Sequence, residues 1–183
     1  MKGFIWGVVA AIVCAVMVAL TIGLTGHISM RADILPSSLE RSLAMRVMDA
    51  NVARNAPKVV NPVQATDQNL VAGATIYRDH CALCHGDLGQ PRSPLSNTLN
   101  PPPPQFVTDP PDMKENENYY IILHGVRWTG MPGWKDVLKD QEIWQVVTFL
   151  SHMNNLPPAA KATFGVTGAS RAASAAKPMK MKM

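Results

Sequence analysis

The chain has 183 residues, with 17 Lys and Arg against 13 Asp and Glu, 47% apolar residues and three cysteines. That length holds one ordinary domain with extensions; the apolar share excludes a disordered chain, and three cysteines exclude a disulfide-built scaffold. The formal net charge of +4 suggests nucleic acid only until it is divided: residues 1–65 carry +3, residues 66–156 carry −4 and residues 157–183 carry +5. An acidic centre between basic flanks leaves no nucleic-acid partner to expect.

Between Lys2 and His27 lie 24 residues without a charged or His side chain. As a helix they span about 36 Å, enough for a hydrocarbon core of roughly 30 Å. A cleaved signal peptide has a shorter apolar run and a small-x-small site; the stretch Gly23–Gly26 is a poor one. Residues 1–29 are therefore expected to form an uncleaved transmembrane signal-anchor, with Cys14 as a lipid-facing or packing residue. Residues 30–65 are expected to form a linker. Ser37 and Glu40 fit a capping box that opens a helix. Leu39, Leu43, Val47 and Ala50 then recur at helical spacing, and the helix ends near Arg54, before Pro57. That stripe requires a cover: the central domain, a partner subunit or the membrane surface. Pro57 to Pro62 forms a joint.

Residues 66–156 form the expected domain, and its helices follow in order. Thr66 or Asp67 caps a helix to about His80, with Leu70, Ala74 and Tyr77 on one side. Glu115–His124 is a second, ended by Gly125. Asp140 caps a third, over residues 141–153, with Ile143, Trp144, Val147 and Leu150 as its apolar face. No strand-like alternation of any length occurs, so the fold class is all-α.

Cys81-Ala82-Leu83-Cys84-His85 follows the first of these helices. This CxxCH spacing is that of covalent haem c attachment. Two thiols three positions apart add across two vinyl groups, and the adjacent His reaches the iron. Zinc requires four ligands, usually two separated pairs, and no second Cys pair exists. A dithiol redox pair calls for a βαβ setting, which the pattern lacks. A sixth ligand is expected at Met131, 46 residues after His85, in Gly130-Met131-Pro132-Gly133-Trp134, where Gly and Pro hold an irregular loop. Met113 is the next candidate; His80, His124 and His152 fall in or at the ends of helices, and Trp134 and Trp144 are read as core. Residues 157–183, rich in Ala, Pro and Lys, are expected to form a disordered basic tail. Its end, Met179-Lys180-Met181-Lys182-Met183, has thioethers suited to Cu(I), although a flexible basic end is the plainer reading.

With Gly73 and Tyr77 placed eight and four residues before Cys81, and a Met-Pro loop downstream, residues 67–156 resemble a class I c-type cytochrome. The resemblance implies that Gly73 lets the first helix cross the last closely, against Val146 and Phe149. It implies one covalently bound haem c with His85 and Met131 as axial ligands. It also implies a proline carbonyl that orients His85, assigned to Pro94 with Pro101 as the next candidate. Including Arg54-Asn55-Ala56-Pro57, Asn69-Leu70-Val71-Ala72-Gly73 and His124-Gly125-Val126-Arg127-Trp128-Thr129-Gly130-Met131-Pro132, nearly the whole chain is similar to bacterial membrane-anchored monohaem cytochromes c. Arg127 and Trp128 then fall at haem-propionate or haem-edge positions. Haem attachment in that family occurs outside the cytoplasmic membrane, which implies an inside amino terminus and a haem domain in the periplasm.

The expected function is one-electron transfer without catalysis, exchanging electrons with membrane redox complexes. The acidic domain calls for basic residues on their docking surfaces. The alternative is a fixed electron-transfer subunit of a periplasmic dehydrogenase or respiratory oxidase, and the apolar stripe of the linker helix favours it. A gas sensor or peroxidase would require an open sixth position.

Overall fold

The computed structural model describes residues 2–165. The chain divides into two units, residues 1–31 and residues 32–183. The first is a single helix, α1 (Lys2–Leu24), with every residue exposed and no acidic or basic residue near its C-terminal end. Thr21 and Thr25 donate their hydroxyls to the carbonyls of Met17 and Thr21, four residues back. These two hydroxyl hydrogens are therefore satisfied within the segment itself. Among the described residues α1 is the one helix long and apolar enough to cross a membrane.

The second unit is all-helical among the described residues: α2 (Ser38–Asn55), α3 (Asp67–His80), α4 (Ala82–His85), α5 (Glu115–His124), α6 (Asp140–Ser151) and α7 (Pro158–Gly165), with short 3-10 turns at Pro94–Asn97 and Met153–Asn155. Local chemistry explains most of the helix starts. Ser37 and Glu40 form the expected capping box on α2, and the Thr66 side chain accepts from Asn69 N at the start of α3. The start of α6 differs from the sequence expectation. Its N-cap is Lys139, whose backbone N–H donates to Glu142 Oε2 at 2.7 Å. Asp140 lies one residue further in and instead accepts the Tyr119 hydroxyl in a short hydrogen bond. Burial and that bond push the Tyr119 phenol up to about 12.

The core lies where α3 crosses α6. Ala74 and Tyr77 of α3 meet Ile143, Val146, Val147, Phe149 and Leu150 of α6, all buried. A side chain on Gly73 would place its Cβ 2.2 Å from Gln145 O and 2.7 Å from Phe149 Cβ. The close approach expected at Gly73 is present, with the Gln145 backbone and Phe149 as its immediate neighbours. Across the crossing, Gln145 Nε2 donates to Asn69 Oδ1 at 3.1 Å. The joint before α3 is tied to the same core. Asn61 donates to Thr148 Oγ1 at 2.8 Å and accepts from Val63 N at 2.9 Å.

The C-terminal end of the domain also departs from the sequence expectation. The domain does not end at Leu156. Pro158–Gly165 forms α7, which packs on α3 with Ala160 and Phe164 fully enclosed. The Phe164 ring meets Tyr77 edge-on at 5.3 Å and Phe149 at 5.2 Å. Proline suits the first turn of a helix because its missing N–H has no intrahelical partner to lose there. The expected disordered tail therefore holds at least one core helix, and the Met179–Met183 run lies outside the described residues. Phe164→Ala should lower stability by about 3–5 kcal/mol, the usual cost of emptying a buried phenylalanine site. Chemical denaturation read by circular dichroism checks this, and an unchanged midpoint would mean that α7 contributes nothing to the core.

The linker helix bears on the three covers expected for its apolar stripe, of which the central domain is not the one used. The helix packs on α5, with Val52 buried and Met48 half-buried. Asn116 Nδ2 also donates to Pro57 O at 3.0 Å. The stripe predicted from periodicity faces elsewhere: Leu39, Leu43 and Val47 are 77%, 62% and 63% exposed.

Candidate haem-binding site

Cys81 ends α3, and residues Ala82–His85 make one further turn, α4, stopped at Gly86. This places Cys81, Cys84 and His85 on a single turn fixed to the core helix. Gly86 has φ +80°, and its Cβ position lies 2.6 Å from Pro91 O. The chain reverses there as only glycine allows without strain. The Gly86 carbonyl accepts the buried Tyr77 hydroxyl at 2.9 Å, which ties the turn to the α3–α6 core.

His85 is buried. Its Nδ1 meets the Pro104 carbonyl oxygen at 2.9 Å, and the Phe106 ring stacks on it at 4.4 Å and 1°. A carbonyl only accepts, so Nδ1 carries the proton and Nε2 is left with a free lone pair. Loss of hydration lowers the His85 pKa and favours the neutral imidazole, the form that binds iron; the bond to Pro104 acts in the opposite direction and offsets part of that lowering. Pro94 does not take this orienting position. It is exposed and opens the 3-10 turn Pro94–Asn97, and the loop returns to His85 ten residues later, at Pro104. Pro101, the next candidate, does not take it either. Gln105, which carries no sequence signal, secures the return. Its amide donates to Cys84 O at 3.0 Å and Pro103 O at 2.8 Å, while its oxygen accepts from Ser93 N at 2.6 Å.

Cys81 and Cys84 are free, half-buried thiols. Loss of hydration, with Cys84 nearby, pushes the Cys81 thiol up to about 12. Among the described residues no group of three or more His, Cys, Asp or Glu is placed to hold a metal ion.

Met131 lies in the loop after α5, half-buried against the core cluster. The loop is pinned from both sides. Val126 N donates to Met131 O at 3.1 Å, and Met131 N donates to Thr129 Oγ1 at 3.0 Å. Gly125, with φ +69°, sits where a Cβ would reach 2.5 Å from Gly133 N, and a Cβ on Gly133 would reach 2.8 Å from His124 O. Glycines thus let the two arms of the loop touch. Arg127 and Trp128 are at its tip, in a turn closed by Thr129 N to Val126 O at 3.3 Å. Trp128 has φ +60° and is 89% exposed, with the Arg127 guanidinium 5.8 Å from its ring centre. A bulky residue in that backbone region is strained.

The remaining candidates have other partners. His80 packs against Trp134 at 5.0 Å, His124 against Tyr120 at 4.7 Å, and His152 Nδ1 donates to Thr148 O at 2.9 Å. Trp144 is buried and stacked on Tyr119 at 4.1 Å. Trp134 differs, because its buried Nε1–H has no hydrogen-bond partner among the described residues. A buried donor left alone costs about 1–3 kcal/mol, and a carboxylate-bearing group beside the Met131 loop would satisfy it. A neutral, oriented imidazole, two thiols on one turn and this unpartnered donor fit a haem.

The family model described as "Cytochrome C oxidase, cbb3-type, subunit III" matches residues 68–150. No curated protein matches the sequence. Among solved structures, a chain of the Kuenenia stuttgartiensis reducing HAO-like protein complex is similar, at 24% identity and a TM-score of 0.44. The likeness covers 55% of this chain and 50% of that one, so it spans half of that relative's length. The sequence match begins at the start of α3 and ends at the end of α6, enclosing the Cys81–His85 turn and the Met131 loop, and on that ground residues 68–150 form a c-type cytochrome domain.

Proposed function

We propose that the protein is a membrane-tethered, periplasmic one-electron carrier with one haem c attached through Cys81 and Cys84 and ligated by His85 and Met131. The observation that carries this reading is the bond from His85 Nδ1 to Pro104 O, which directs Nε2 outward as a ligand. When bound, haem supplies reversible one-electron chemistry, and a His/Met pair raises its potential. The chain's own residues position and shield it. Pro104 fixes the His85 tautomer, Phe106 holds the ring plane, and Gln105 prevents the loop from lifting away. Glycines 125 and 133 hold the Met131 loop closed. The Trp134 indole N–H is a donor for a haem propionate, and Arg127 and Trp128 supply contacts at the propionate or haem edge. α1 serves as the anchor, with the amino terminus inside. The net −4 of residues 66–156 suits donors and acceptors with basic docking surfaces.

The sixth position decides between a carrier and a sensor. The oxidised, haem-loaded full chain should show the red-edge charge-transfer band of a Met–iron bond, and its reduced form should bind carbon monoxide poorly. In Met131→Ala the band should vanish and carbon monoxide should bind readily. A wild-type chain that lacks the band and binds the gas readily would overturn the carrier reading. A second reading, a fixed subunit of a larger oxidoreductase, is favoured by the description of the matching family; a stoichiometric companion after purification in mild detergent would select it.

A further inference from the structure

Opposite its contact with α5, α2 presents a continuous face that no described residue covers. At about 100° per residue, Leu39, Leu43, Val47 and Ala50 fall within one sector, and Arg46 and Arg54 fall in the same sector. The acids of the helix, Glu40 and Asp49, lie to its sides. The opposite sector carries Val52 and Met48 toward the haem domain. The helix does not require a partner in order to form, since its capping box and its Val52 anchor are internal.

We propose that this face lies on an anionic lipid surface, with Leu39, Leu43 and Val47 in the headgroup–acyl boundary and the Arg46 and Arg54 guanidinium groups on lipid phosphates. The proposal rests on reading α1 as a membrane span. Two other occupants fit less well. The chain beyond residue 165 carries four basic residues and no acid, so Arg46 and Arg54 repel it. A second copy, paired about a two-fold axis along the stripe, would bring Arg46 into the seam near its own mate, an unfavourable like-charge contact. A bilayer surface accepts this pattern, because interfacial helices combine an apolar face with basic residues that reach the headgroups. The chain length also permits it. Thirteen residues separate Leu24 from Ser38, which extended span at most about 45 Å. An α2 tethered at that range meets the membrane at high effective concentration. Seated this way, the helix would hold the haem domain at a limited set of heights and tilts above the bilayer.

Spin labelling of the full-length, haem-loaded protein tests this. In a Cys14→Ala background the attachment cysteines are consumed as thioethers, so Leu43→Cys, Ala44→Cys and Val13→Cys each give one labelling site. The probe membrane is a nanodisc of phosphatidylcholine with phosphatidylglycerol, one protein per disc. Labels at 13 and 43 should collide mainly with lipid-soluble oxygen, and the label at 44 mainly with a water-soluble nickel chelate. Omitting phosphatidylglycerol, or combining Arg46→Gln with Arg54→Gln, should raise nickel collisions at 43 several-fold. Positions 43 and 44 equally open to nickel, with 13 still in lipid, would overturn the proposal and leave the spanning segment standing. Nickel access at 13 would reject the spanning segment, and this proposal with it. Strong spin–spin coupling between 43 labels in discs holding two copies would assign the face to a second copy instead. A label at 43 indifferent to both charge changes would overturn the anionic assignment.

Discussion

Gly73→Ala should be the most damaging single-methyl change in the domain, lowering stability by about 3 kcal/mol or more, the upper end of what overpacking costs. Alanine favours a helix over glycine by only about 1 kcal/mol, which does not offset the clash. The added carbon would sit 2.2 Å from Gln145 O and 2.9 Å from Gln145 C. These are backbone atoms, which cannot rotate aside as a flexible side chain does. The third neighbour, Phe149 Cβ at 2.7 Å, belongs to a fully buried residue whose ring packs on Tyr77. Relief therefore requires α3 and α6 to move apart, breaking the Gln145–Asn69 bond that bridges them. The site would be disturbed as well, because α3 runs directly into Cys81. For a domain of this size about 4–8 °C of melting temperature is lost per kcal/mol, so a thermal melt of the haem-loaded protein should fall by well over ten degrees. A melt within a degree or two of wild type would show that the crossing relaxes without cost.

What the sequence revealed, and what it concealed, divides by the range of the interactions. Helix starts set by adjacent side chains, such as Ser37 with Glu40 and Thr66 with Asn69, are legible because donor and acceptor lie three residues apart. The stop of α5 at Gly125 is legible for the same reason. The Cys81–His85 turn is legible because its three side chains fall within five consecutive residues. The acceptor for His85 is not: Pro94, Pro101 and Pro104 are chemically alike, and only the path of the loop distinguishes them. Gln105, which fixes that path through three partners, is one unremarkable residue after a run of prolines. α7 was concealed by composition. Averaged over residues 157–183, Ala, Pro and Lys dominate, while the structure depends on the positions of Ala160 and Phe164. The Leu39–Leu43–Val47 stripe shows a further limit. Periodicity finds an apolar face, but the face this domain uses runs through Met48 and Val52, on the other side of the helix.

Replacing both Cys81 and Cys84 with alanine should abolish covalent haem entirely, the largest effect expected of any change to the site. The readout is haem absorbance that stays with the polypeptide after full denaturation and acid–acetone extraction. Wild type should retain it, either single variant should retain it through one remaining thioether, and the double variant should lose it. Because the protein is unfolded for the measurement, the outcome does not depend on whether the variant folds. The chain holds one other cysteine, Cys14, in the exposed apolar helix α1, outside any CxxCH sequence. Haem that survives extraction in the double variant would therefore place the linkage at Cys14 or outside cysteine chemistry, and the attachment turn would lose its assigned role. A stability loss should accompany the double variant. A small domain buries too little surface for a large margin, so a haem held at His85 would add apolar contact, and bonds to Cys81 and Cys84 would restrict the unfolded chain as any cross-link does. His85→Ala separates these contributions. It should keep the thioethers and the extraction-resistant absorbance while losing the proximal ligand, with a correspondingly altered spectrum.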